Sequence, residues 1–454
     1  MSKKNKQLTA EEANHSQLEM NRRNFLIGSA LGLGGVLMPQ SGLAADILNC
    51  RPEQGNLLQR GPDSTTAEAT APCVVYIFLR GGMDGLSLAA PATQDTANYN
   101  LYRTNRPDLH LQSGIRLGSS QLMLHPNLAD LHRNVFARGK LAVIQGAGSP
   151  NNTRSHFDQM NFVESGTPLS VGNMLRPDGF LNRILSMQGA DIQAASMQSV
   201  VPRAINGSNP AVALNGNVNR FVAMSAPGVQ LGVSLTDRLL GLFDRVADGN
   251  FCAPAQASSL AVQRAQAIVQ NARSYDGISP LTAYIPAGVP GGLGSQLRET
   301  ARLLKGSPGT RAVAIDVGGW DTHASMGVRE GYFANRMLML NHALATFFGD
   351  LQSLGLGNRV VTVLQTEFGR PLKQNGSLGL DHGRGSTMLV MGNTVKGGAF
   401  VRDWDLSRLE ETRDVRVTID YRDVLGQVIQ KHLKANLATA FPGYTLNTSG
   451  VAIL

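Results

Sequence analysis

Two kinds of apolar pattern alternate along this chain. The first is a short continuous run rich in Val, Ile and Leu. Such runs occur at 74–79 (VVYIFL), 140–148 (KLAVIQGAG), 311–317 (RAVAIDV), 358–365 (NRVVTVLQ) and 386–395 (STMLVMGNTV). Each is strand-length and ends in Gly or a polar turn, which predicts strands buried on both faces. The second is helical spacing of apolar residues, at 124–139 with Gly139 as the stop, 293–306, 331–355 and 421–433. A loop enters a further helix near Ser155, and another helix starts at Phe180. Two amphipathic segments, 233–249 and 261–275, predict helices in the less decipherable middle. Strands alternating with helices predict an α/β fold, with a mostly parallel central sheet covered by helices on both faces and a helical insertion at about 170–300.

Composition adds three things. With 454 residues, 42% hydrophobic and 16% charged, the chain suits a folded body of one large α/β domain or two smaller ones. The net charge of +8 is spread out, without a dense Lys/Arg stripe interleaved with aromatics, so no nucleic-acid partner is expected. Three cysteines, Cys50, Cys73 and Cys252, have no CxxC spacing, which disfavours a thiolate zinc site. They allow one bridge with one thiol left over, and a Cys50–Cys73 pairing across the polar segment between them is one option.

The N-terminus carries Arg22-Arg23, then Phe25-Leu26, a mildly apolar stretch, and small residues at Gly42-Leu43-Ala44. The stretch is short and leads into a cleavage pattern, so residues 1–44 predict a signal peptide rather than a membrane span. The paired arginines resemble a twin-arginine export signal. The expected organisation is a signal at 1–44, a linker at 45–72 and the α/β domain at 73–454. The expected location is periplasmic or secreted, with the twin-arginine export machinery as a partner and no stable membrane span after processing.

Acids and histidines stand just past the predicted strands: Asp84, His156, Asp321 with His323, and Glu367, followed by Asp381-His382. In a parallel sheet the carboxyl ends share one edge, so residues far apart in sequence can converge there. Carboxylates with imidazoles suit zinc, manganese or similar divalent ions. Each residue also has a plainer role open to it: Asp84 as a turn residue, Asp321 as a helix cap, Glu367 as a partner of Arg370. Ser155, with Thr153 beside it, stands at a helix start where backbone amides favour a phosphate or sulfate oxygen. Ser155 is a candidate nucleophile, or alternatively a helix cap backed by Asp158. His156 is a candidate metal or substrate ligand, and Arg154, Arg370 and Arg384 are candidate anion clamps.

The segments RGGMDGLSLAAP, SHFDQMNFVESG, GGWDTH and TEFGRPLKQNGSLGLDHG resemble the motifs of the exported bacterial family called domain of unknown function 1501, from about residue 72 onward. That family is grouped with alkaline phosphatases and sulfatases. The resemblance implies their fold, a site for one or two divalent metals, and hydrolysis of a small phosphate or sulfate ester. It sets Asp84 as the first-strand ligand, Asp321 and His323 as the Asp/His pair, Glu367 where Asp-His-Gly is expected, and His382 as the final histidine. Phe368 departs from the pattern, because it cannot ligate, and Asp381 is the residue placed to compensate. The alternative implied by that departure is a non-catalytic exported protein that keeps the fold for envelope interactions, with a structural metal or none.

Overall fold

A computed structural model of the chain describes residues 71–167, 176–185, 193–209, 211–218, 272 and 274–454. The segments expected to be a signal and a linker, up to residue 70, lie outside these, as do Cys50, Cys252 and nearly all of the two helices expected at 233–249 and 261–275. Nine strands form the central sheet: β1 Cys73–Leu79, β2 Leu141–Gly148, β3 Ala194–Ser196, β4 Ala211–Ala213, β5 Ala312–Val317, β6 Val360–Thr366, β7 Ser386–Met391, β8 Gly398–Phe400 and β9 Ile419–Asp420. The spatial order is β8-β2-β7-β6-β1-β5-β3-β4, and β9 adds to β2. Two of these strands, β3 and β4, come from the stretch expected to be a helical insertion, which thus supplies one edge of the sheet.

β1 lies at the centre, parallel to β5 and β6, with Val74 beside Ala312 and Val361 and Leu79 beside Val317 and Thr366. Its side chains alternate between two cores. Val75, Ile77 and Leu79 join one with Leu340 and Phe347, and Val74, Tyr76 and Phe78 join the other with Val424 and Ile429. A strand with an apolar layer on each side needs apolar residues at every position, which is why its sequence runs continuously rather than alternating. The helices that matter below are α1 His156–Ser165, α2 Leu293–Gly306, α3 Tyr332–Ser353 and α4 Tyr421–Gln427. No helix among the described residues is long and apolar enough to cross a membrane.

β7 departs from simple alternation by running antiparallel to both β2 and β6. The connection 367–385 contains no helix, so the chain does not cross over the sheet to re-enter it in parallel. It folds along the rim and returns. Residues just before β7 therefore lie at the same edge as residues just after β1, β2, β5 and β6, and the reversal brings Asp381 and His382 to that rim.

Cys73 opens β1 with a fully buried thiol that is free among the described residues, and the expected pairing with Cys50 falls on a residue outside them. Burial raises that thiol to about 12, which leaves it protonated and unreactive at neutral pH.

Candidate metal centre

The rim is assembled by charge pairs that fix one loop against the next. Arg80, the first residue after β1, faces Asp316 of β5 at 2.8 Å and Glu164 of α1 at 3.0 Å. This anchors α1 to the sheet edge and sets the position of His156 at its first turn. Gly81 follows with φ +117°, and a Cβ there would come within 2.6 Å of the Asp321 amide. Only glycine lets the β1 exit lie flat against the β5 exit. The Gly81 amide then donates to Glu367 Oε1 at 2.8 Å.

Glu367 is fully buried, and its oxygens are already engaged. Oε1 accepts from the Gly81 amide and from His156 Nδ1 at 2.7 Å, and Oε2 lies 2.8 Å from the Thr366 hydroxyl. Burial pushes its carboxyl up, but the hydrogen bonds, led by that from His156, outweigh it and hold the group below the usual glutamate range. Glu367 is thus not the ligand expected from sequence. It orients a ligand, because a carboxylate can only accept, so His156 Nδ1 carries the proton and Nε2 is left with its lone pair. His156 Nε2 is buried and has no hydrogen-bond partner. The same bond raises the His156 pKa.

His382 is set the same way. Its Nδ1 donates to the Arg154 carbonyl at 2.7 Å, which also forces the lone pair onto Nε2. Burial, with His156 and Arg370 adding to it, holds its pKa below the ordinary histidine value. His323 Nε2 lies 2.9 Å from His382 Nε2 and 3.0 Å from Asp321 Oδ1. Asp321 Oδ1 is the shared point, 3.4 Å from both His156 Nε2 and His382 Nε2. Donor atoms of His156, Asp321 and His382 all lie within 4.8 Å of one another. For a metal–nitrogen distance of about 2.0–2.1 Å, the edge of a tetrahedron is roughly 3.3–3.4 Å. The two 3.4 Å separations from Asp321 Oδ1 match that edge, so His156, Asp321 and His382 form the candidate ligand set, with His323 close to two of the three.

Arg370 is fully buried and donates to Asp321 Oδ1 at 2.7 Å. Burial raises the Asp321 carboxyl, and Arg370 overrides it, so Asp321 is held below the usual aspartate range. The remaining Arg370 donors are spent on the carbonyls of Gly81, Gly82, Trp320 and Leu380. Arg370 is therefore a bracket for the loops, not an anion clamp. The other two expected clamps are also committed: Arg154 to Asp414 and Glu411, and Arg384 to Glu410.

Three more expectations are corrected. Asp84, expected as a first ligand, is buried in an ion pair with Arg106 (2.6 and 3.0 Å) and caps the turn Gly85–Leu88 through the Ser87 amide. With both oxygens taken, it cannot reach a shared ion. Ser155 accepts from the Asp158 amide as the cap of α1, and Thr153 Oγ1 accepts from the Ser155 amide, so neither hydroxyl is set up as a nucleophile. Asp381 is 57% exposed, is bonded by Asn375, and lies 3.5 Å from His323 Nδ1, so it flanks the centre rather than completing it. Hydrogen bonding from Asn375 lowers its pKa.

Phe368, with no ligating atom, is packed 4.7 Å from the His156 ring and 5.0 Å from the His382 ring. It forms an apolar wall that fixes both imidazoles. The mouth of the site is open on the other side, where Asp321 and His323 are 45% and 44% exposed. Arg106, which decides the fate of Asp84, carries no sequence signal. It follows a helix and precedes Pro107, and only the fold shows that its partner is 22 residues upstream.

Residues 294–436 match the family described as "Protein of unknown function (DUF1501)". That span holds the GGWDTH and TEFGRPLKQNGSLGLDHG segments, and the other two segments lie outside it. No curated protein matches the chain. Among solved structures the chain is similar to a phosphonate monoester hydrolase from Silicibacter pomeroyi, at 11% identity over 84% of this chain and 76% of that one, with a TM-score of 0.32. It is also similar to the alkaline phosphatase of the Antarctic bacterium TAB5, at 9% identity over 81% of this chain and 99% of that one, with a TM-score of 0.30. Likeness at this level transfers no chemistry to this chain.

Proposed function

We propose that this protein is an exported hydrolase of small phosphate or sulfate esters, dependent on one divalent ion held by His156, His323, His382 and Asp321. The observation that carries the reading is the convergence of two imidazoles on Asp321 Oδ1, each with its Nδ1 proton committed elsewhere. Paired donors pre-set in this way match a metal site with its outer partners in place. Three imidazoles and a carboxylate suit zinc, manganese or iron. Among the described residues a second ion lacks ligands, because Asp84 belongs to Arg106 and Phe368 stands where another imidazole was expected.

A bound divalent ion supplies Lewis acidity toward an ester oxygen and lowers the pKa of water. Around it, Glu367 holds His156, the Arg154 carbonyl holds His382, and Arg370 keeps Asp321 ionised. The wall of Phe368 keeps water from one side of the imidazoles, while the exposed edge of Asp321 and His323 admits substrate. Water is the attacking group in this reading, since Ser155 is spent as a cap. The Arg22-Arg23 signal supports export by the twin-arginine route to the periplasm, and substituting both with Lys should leave the protein in the cytoplasm on fractionation.

The test is to strip the purified chain with a chelator, reload it with zinc or manganese, and measure ions per chain, melting temperature and turnover of aryl phosphate and aryl sulfate esters. About one ion per chain is expected, with turnover lost on chelation and in His382→Ala. Clearly less than one ion after loading, with no fall in melting temperature on chelation, would sink the proposal. One observation favours a second reading, a non-catalytic exported protein with a structural ion. A fourth protein donor, His323 Nε2, stands 3.0 Å from Asp321 Oδ1 and 2.9 Å from His382 Nε2, where it would compete with water or substrate for an open position, as protein donors do in closed structural zinc sites. Under that reading the ion raises the melting temperature and no ester turns over.

A further inference from the structure

We infer that Arg336 is the residue that grips the anionic oxygens of the substrate, an inference that rests on the ester-hydrolase reading of the neighbouring centre. The arginines flanking that centre are all spoken for by carboxylates: Arg80 by Glu164 and Asp316, Arg154 by Asp414 and Glu411, Arg370 by Asp321, Arg413 by Asp414. Arg336 is different. Among the described residues it faces no carboxylate, and its one hydrogen bond runs from Nη2 to the Tyr332 hydroxyl at 2.7 Å. One of its five N–H donors is used, and four are left.

Its position is nonetheless fixed. The guanidinium lies over the Trp320 ring at 5.5 Å and the Tyr332 ring at 5.1 Å. Tyr332 in turn donates to the Gly319 carbonyl at 2.9 Å. Gly319 has φ +83°, and a Cβ on it would fall 1.7 Å from Arg336 Nη2 and 2.5 Å from the Tyr332 hydroxyl. The missing side chain is the space the guanidinium occupies. Gly319 is two residues before Asp321, a chain distance of at most about 7 Å. A half-buried cation is thus held against the Gly319-Trp320 turn that leads into Asp321, with four of its five donors uncommitted. A planar guanidinium so held meets a phosphate or sulfate with two parallel hydrogen bonds, and its charge offsets the charge of the ester.

The experiment uses the full chain loaded with manganese or zinc, titrated with inorganic phosphate and separately with inorganic sulfate, with ions per chain and melting temperature measured for each variant. Arg336→Met is expected to keep the ion while its affinity for the bound anion falls about 10- to 100-fold, the worth of a charged hydrogen-bonding group. Arg336→Lys should recover part of that loss. Tyr332→Phe, which keeps the ring but frees the guanidinium, should fall about 5-fold. Anion binding by Arg336→Met equal to the wild type overturns the inference, as does a metal-loaded wild type that binds neither anion. If the wild type takes up no ion, the metal reading has failed separately, and the same titration of the metal-free chain still decides. Binding that depends on Arg336 supports the inference, and its absence overturns it.

Discussion

Two aspartates past neighbouring strands of one rim meet opposite fates. Asp84 follows β1 and Asp321 follows β5, and each is hydrogen-bonded to a fully buried arginine. Arg106 reaches both oxygens of Asp84, and the Ser87 amide takes a further lone pair, so the pair is sealed at 1% exposure. Arg370 reaches one oxygen of Asp321 from one side, and its other donors go to carbonyls. That oxygen is left facing three imidazoles, with the side chain 45% exposed. The role of an acid at this edge is set by which lone pairs its arginine leaves uncommitted, not by its distance past the strand.

The comparison breaks most visibly by removing each acid. Asp84→Ala leaves the sealed Arg106 guanidinium with the Pro371 and Leu372 carbonyls but no counter-charge, and denaturant unfolding should show a loss of about 3–5 kcal/mol. Asp321 is 45% exposed, so Asp321→Ala removes a solvent-screened partner and lets water reach the Arg370 guanidinium, and unfolding of the metal-free chain should change by only about 1 kcal/mol. Metal retention should behave in reverse, abolished in Asp321→Ala and kept by whatever fraction of Asp84→Ala folds. If Asp84→Ala loses its ion while its melting temperature holds, the two aspartates do not differ as described.

Glu367→Gln sharpens the contrast between ligand and outer partner. The His156 ring keeps an acceptor but loses a charge, and metal affinity by competitive chelation should fall about 10- to 100-fold. An unchanged affinity would mean that His156 is not a ligand.

The smallest expected effect is a tilt with pH. In the metal-free chain the raised His156 pKa contributes stability that is fully present below about pH 6.5 and is lost as pH rises through the folded value. The lowered Glu367 pKa contributes stability present above about pH 4.3 and lost as pH falls through its folded value. The pair therefore favours the metal-free fold most between those limits, and Glu367→Gln should flatten that window in a series of melting curves. With an ion bound His156 must be unprotonated, so the stabilisation by metal should grow as pH rises through the same range.

Much of this was open to reading in the residues. Continuous apolar runs at 74–79 and 358–365 and helical spacing at 331–355 marked β1, β6 and α3, because burial on two faces or on one stripe leaves a pattern in any single chain. The placement of His156, Asp321, His323 and His382 past strand ends followed from the same pattern, since parallel strands share an edge. The tertiary structure alone decided how the charges paired. Arg106 takes Asp84, Arg370 takes Asp321, and Glu367 turns inward to hold His156, through contacts that span up to 211 residues of sequence and leave no local periodicity. The antiparallel return of β7, which delivers His382 to the rim, was likewise settled by how the 367–385 connection packs. Hydrophobic burial is written locally in residue order, whereas satisfying a buried charge depends on what the finished fold brings within about 3 Å of it.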